Sequence, residues 1–195
     1  MSLRTRAKSL TVVAILAAGA VALIGSTQTW AVARLAEGAL PVPGATAVPV
    51  LQPLALTTLA LGLVLTLVGR ALRYVLGGLA VVVATGLAFL SARMVVAPPL
   101  TAVAPAVTER TGLAGAEAIA GVVRDVTATP WPLVTLIAAI LIGLAGIAVL
   151  ATAHLWARGG RRFGAATDST ARDDAAPLDA IDSWDDLSRG DDPTR

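Results

Sequence analysis

Cysteine is absent from the 195 residues and histidine occurs once, at His154. That excludes disulfide frameworks, thiolate chemistry, multi-histidine metal sites and a Ser-His-Asp relay. Charge is scarce too. Only 14% of residues are Asp, Glu, Lys or Arg, against 56% hydrophobic, and the mean hydropathy of +0.77 is too high for a soluble domain of this size to cover its own surface. The solvent of most of the chain is expected to be lipid.

Charge is missing altogether from four stretches: Leu10 to Thr29, Val50 to Val68, Tyr74 to Ala92 and Pro132 to Leu155. A helix of about 20 residues rises about 30 Å, the thickness of the hydrocarbon core, and only helices satisfy their backbone there without exposed edges. The second and third stretches cannot be one helix, because Val50 to Ala92 would run about 65 Å at 1.5 Å per residue. The chain is expected to turn at Gly69-Arg70-Ala71-Leu72-Arg73. The fold class that follows is all-α: a polytopic, up-down bundle of four transmembrane helices over residues 1–163, and a disordered acidic tail over 164–195.

The scarce charge is unevenly placed. From Gly164 onward nine Asp face three Arg, so the net charge of +2 describes neither part and does not indicate nucleic-acid binding. Arg4, Arg6 and Lys8 precede the first stretch, Arg70 and Arg73 lie in the tight turn, and Arg158, Arg161 and Arg162 follow the last. The positive-inside rule puts these groups, and both termini, in the cytoplasm. Trp30, Trp131 and Trp156 fall at predicted boundaries, where an indole buries its ring and keeps its N–H wet. With Arg158, Arg161 and Arg162 they are the expected interfacial anchors. A packed-core position for the tryptophans is the alternative. Arg4 to Ala33 also has the layout of a cleavable signal peptide, an alternative that leaves the remaining topology intact.

Between the spans, Ala31 to Pro49 reads as an irregular connection rich in Gly, Ala and Pro. Thr108 to Val126 places Leu113, Ala116, Ala120 and Val123 at helical spacing and predicts a short amphipathic helix at the outer interface, against the alternative of a solvated loop. Small residues recur every four positions at Ala14, Ala18, Ala22 and Ser26, at Ala80, Ala84, Ala88 and Ala92, and at Ala139 and Gly143, a pattern that lets helix backbones approach.

Catalytic and transport chemistry have little to work with. Ion and proton pathways usually need a charge inside the membrane, and the carboxylates gather in the tail, where nothing holds a pair at catalytic separation. A lipid- or isoprenoid-modifying enzyme would need positioned acids, bases or a metal. No phosphate loop or metal-ligand spacing occurs, so neither enzymatic activity nor a cofactor is expected. Gln28, Gln52, Thr57, Thr58 and Thr66 are left to join helices or to line a polar cavity. In the tail, Ile181, Trp184 and Leu187 stand at three-residue spacing in an acidic run, as a short docking helix would place them. Trp184, Asp185, Leu187, Arg189, Asp191 and Pro193 are the candidate docking residues for a soluble cytoplasmic partner, the alternative being an unstructured end with an incidental tryptophan.

A four-span, alanine-rich chain with Ser26-Thr27-Gln28-Thr29-Trp30 closing its first helix, Thr129-Pro130-Trp131-Pro132 opening its fourth and Trp184-Asp185-Asp186-Leu187-Ser188-Arg189-Gly190-Asp191-Asp192-Pro193-Thr194 at its end resembles the tryptophan-biosynthesis-associated membrane proteins of bacteria. It departs from their pattern at Thr29, where a proline usually precedes the tryptophan. The resemblance implies a membrane protein encoded among tryptophan-biosynthesis genes, and it implies no activity; the bacterial inner membrane is its expected location. An accessory protein that recruits a partner through its tail is the leading expectation. A small channel or exporter for an apolar metabolite such as tryptophan or indole is the alternative.

Overall fold

The charge-free runs become helices. The computed structural model describes residues Leu3 to Leu155, and the acidic tail expected from residue 164 onward lies outside them. Helix α1 spans Leu3–Thr27, α3 Leu51–Leu67, α4 Arg70–Val96 and α7 Trp131–Thr152, with a turn of 3-10 helix over Ala153–Leu155. α4 extends the expected span at both ends, taking in Arg70, Arg73 and Arg93; Arg70 and Arg93 are exposed, as long cationic side chains in terminal turns are when their heads reach the interface, whereas Arg73 is buried. The turn before it shrinks to Val68 and Gly69. Three helices, Ser9–Thr27 of α1, α4 and α7, are long and apolar enough to cross a membrane. α3 is a shorter apolar helix of 17 residues, about 25 Å long.

Neighbouring helices run antiparallel. α7 packs along both α1 and α4, and α1 packs along α3; α3 and α4 touch less extensively. The α4–α7 seam is made of small residues: a Cβ on Gly146 would lie 3.1 Å from the Gly77 carbonyl, and one on Gly143 3.5 Å from the Ala84 Cβ. Of the small-residue stripes, Ala18, Ala22, Ser26, Ala80, Ala84 and Ala139 are buried, whereas Ala14 is exposed. Thr57, Thr58 and Thr66 donate to carbonyls of their own helix, at Pro53, Leu54 and Leu63. Around the outside, Val82, Leu63 and Leu144 are 67%, 59% and 58% exposed, the apolar girdle that lipid contact requires.

The segments between the helices depart from the all-α expectation. Ala31 to Pro49 is not irregular: strand β1, Thr29–Leu35, and strand β2, Gly38–Pro43, form an antiparallel hairpin, followed by a single turn of helix, α2, Gly44–Ala47. Strand β3, Val123–Ala128, pairs antiparallel with the other edge of β1, giving the order β2-β1-β3. Alanine, glycine and proline are depleted in strands, which hid the hairpin. Burial supplies what propensity lacks, with Ala31 and Ala33 fully buried and Arg34 exposed. Pro41 and Pro43 sit on the edge strand, where a missing N–H leaves the central ladder intact.

The single amphipathic helix expected over Thr108 to Val126 is also corrected. Helix α5, Leu100–Thr111, ends at Gly112, whose φ of 72° supplies a left-handed cap with its N–H on the Thr108 carbonyl. α6, Ala116–Val122, begins afresh after Gly115, at φ 100°. The inward residues are Ala102, Val103, Val107 and Ile119, whereas Leu113, Ala116 and Ala120 are exposed. The sheet and short helices together form a head at the end of the bundle where α1 and α4 finish and α3 and α7 begin.

Candidate functional site

Two segments separated by a hundred residues converge where this head meets the bundle. Ser26 to Trp30 carries the chain out of α1 into β1, and Thr129 to Pro132 carries it from β3 into α7. The Thr129 N–H donates to the Trp30 carbonyl at 2.9 Å. Its hydroxyl donates to the Thr29 carbonyl at 2.6 Å and accepts the Trp131 N–H at 3.4 Å. One threonine thereby closes the β1–β3 ladder and ties it to the first residue of α7.

Trp30 fastens the other side of the junction. Its ring is fully buried and its Nε1–H donates to the Gly25 carbonyl at 2.8 Å. The wet interfacial indole expected at this position is therefore replaced by a packed one, because the hairpin folds back over the end of α1 and supplies the ring with a protein environment. Gly44 makes room for it: a Cβ there would lie 2.7 Å from Nε1. Trp131, half-buried as the first residue of α7, stays at a helix end. Trp156, Arg158, Arg161, Arg162, Trp184, Asp185, Leu187, Arg189, Asp191 and Pro193 lie outside the described residues.

Below the junction the seam between α1, α4 and α7 holds buried hydroxyls that sequence reading missed. Ser91 and Thr135 are both fully buried, and neither hydroxyl makes a hydrogen bond. A Cβ on Gly25 would lie 2.7 Å from the Thr135 Oγ1, so the end of α1 is seated directly on this threonine. At the opposite end of the bundle Arg70 donates from Nη2 to the His154 carbonyl at 3.3 Å, and Arg73 is 3% exposed. A cation on the last carbonyls of α7 complements the negative end of that helix.

These features define a helical integral membrane protein whose apolar helices are clamped at one end by a small β-containing head. The chain belongs to the family of tryptophan-associated transmembrane proteins, whose family model matches residues 12–194. No curated protein and no solved structure matches it. Of the three segments that carry the resemblance in the sequence, those around Trp30 and Trp131 are brought into contact by the junction, and the third, Trp184 to Thr194, lies outside the described residues.

Proposed function

We propose that this protein is a non-enzymatic accessory protein of the bacterial inner membrane, with four spans and both termini in the cytoplasm, that recruits a soluble partner through the tail residues Trp184, Asp185, Leu187, Arg189, Asp191 and Pro193. Membership of a tryptophan-associated family supports a partner among the enzymes of tryptophan biosynthesis. The observation that carries the reading is the character of the bundle interior. The α4–α7 seam is closed by Gly77, Ala80, Ala84, Gly143 and Gly146, and among the described residues the buried polar side chains are the hydroxyls of Ser26, Thr58, Ser91 and Thr135, with one charge, Arg73, in the first turn of α4. Such an interior suits a platform that holds a tail at the membrane, since moving ions or protons usually engages an intramembrane charge. α3 counts as the fourth span in this reading, its 17 residues extended by the turns on either side to reach the about 30 Å of the core.

The test is affinity capture from solubilised native membranes, comparing the intact chain with one truncated before Asp182. Enrichment of a tryptophan-pathway enzyme with the intact chain alone supports recruitment. Unchanged co-purifying proteins together with unchanged cellular tryptophan output would sink it.

A further inference from the structure

Arg93 stands at the outer end of α4 between two concavities. On one side a cleft of about 200 Å³ opens among the α2–α3 junction, the last turns of α4 and the start of α5; its apolar floor is Ala47, Val48, Met94 and Ala102. On the other side Phe89, Ala92, Val96 and Ala97 form a shallower, more open trough of about 460 Å³. Arg93 lines both, and neither lining contains a carboxylate. Its guanidinium carbon lies 5.8 Å from the Phe89 ring centroid, a cation–π contact that favours keeping the guanidinium at the height of this last part of α4.

That height is the level of lipid headgroups. α4 has 27 residues, about 40 Å of helix against a core of about 30 Å, so its terminal turns emerge at both interfaces. Phe89, one turn deeper, is 60% exposed, which gives the trough an apolar surface for an acyl chain on the core side of Arg93. The cleft is larger than the about 150 Å³ apolar cavity that takes up benzene, so it has room for the first methylenes of a second chain. A guanidinium presents a planar fork of donors that matches a phosphodiester.

We infer that Arg93 and its two flanking concavities form a binding site for a membrane phospholipid, the phosphate on the guanidinium and one acyl chain in each concavity. The site is distinct from the tail and does not depend on partner recruitment. The test is native mass spectrometry of the full-length protein in mild detergent, titrated with phosphatidylglycerol. The intact protein retains a lipid adduct; Arg93→Gln lowers retention at least about tenfold, the scale of losing a hydrogen bond to a charged group. Ala102→Leu, which fills the cleft and keeps the charge, also lowers it, and Arg93→Lys falls between. Diacylglycerol, with chains and no phosphate, gives no adduct, and millimolar inorganic phosphate does not displace the phospholipid. Far-UV circular dichroism identifies which variants fold. Undiminished retention by a folded Arg93→Gln or Ala102→Leu protein, equal retention of diacylglycerol, or displacement by inorganic phosphate would each overturn the inference.

Discussion

Replacing Gly44 by alanine probes the junction most directly. The added Cβ would meet the Trp30 indole at 2.7, 2.8 and 2.9 Å from Nε1, Cδ1 and Cε2, and the ring cannot retreat without stretching its 2.8 Å bond to the Gly25 carbonyl. Overpacking of this kind costs about 1–3 kcal/mol. Weakening the indole bond adds about 1 kcal/mol, and alanine recovers about 0.5–1 kcal/mol over glycine in a helix. The net expectation is a loss of roughly 1–3 kcal/mol, read as a drop of several degrees in Tm by circular dichroism of the detergent-solubilised protein. The mechanism is isolated by repeating the change with Trp30→Leu. That substitution alone costs less than the about 3–5 kcal/mol of a tryptophan truncated to alanine, and it removes the obstructing ring, so Gly44→Ala becomes neutral or stabilising. A coupling of at least about 1 kcal/mol follows. Equal losses in both backgrounds would refute the steric account of Gly44.

Three further outcomes are expected. Thr129→Val removes the donor to the Thr29 carbonyl and costs about 1 kcal/mol; it accelerates amide exchange in β1 and β3 while helical circular dichroism stays constant, and unchanged exchange would deny Thr129 its role as a clamp. Ser91→Ala and Thr135→Val delete buried hydroxyls that make no hydrogen bond, so each is neutral or raises Tm, whereas a drop of several degrees would mean the hydroxyl has a partner. Because the chain has no cysteine, Glu37→Cys in the hairpin and Gly69→Cys in the α3–α4 turn report topology cleanly: an impermeant maleimide labels the first on intact spheroplasts and the second only after lysis, and the reverse pattern would invert the proposed orientation.

The helices were legible because lipid imposes a simple test, a charge-free run of spanning length, and Leu10 to Thr29, Val50 to Val68, Tyr74 to Ala92 and Pro132 to Leu155 each coincide with a helix, although α1 begins earlier, at Leu3, and α4 runs on to Arg70 and Val96. The head was not. Its central strand is Thr-Trp-Ala-Val-Ala-Arg-Leu, where inward alanines give little contrast against their neighbours, and its third strand pairs across a separation of nearly a hundred residues. Local pattern carries no trace of such a contact. Thr108 to Val126 misled for a related reason: alanine-rich sequence fits a helical wheel easily, and the breaks at Gly112 and Gly115 come from backbone conformations that only glycine adopts without strain.

Trp30 shows why a residue type at a boundary underdetermines its role. Position alone permits an indole in the headgroup layer or one in a packed core, and the apolar run before it fits both. What selects the core is a pair of glycines, one offering its carbonyl to the ring and one lacking the Cβ that would exclude it. With Thr129 bonded to the Thr29 and Trp30 carbonyls, the finish of α1 and the start of α7 are joined through main chain as well as through packing. The Trp30 and Trp131 segments therefore act in the fold as one device: they fix how two membrane helices enter a head neither could hold alone. Conversely, a change at either segment should be felt as loss of the head before loss of the helices, because α1 stays packed on α3 at Gly19 and Gly62 and α7 on α4 at Gly77, Gly143 and Gly146.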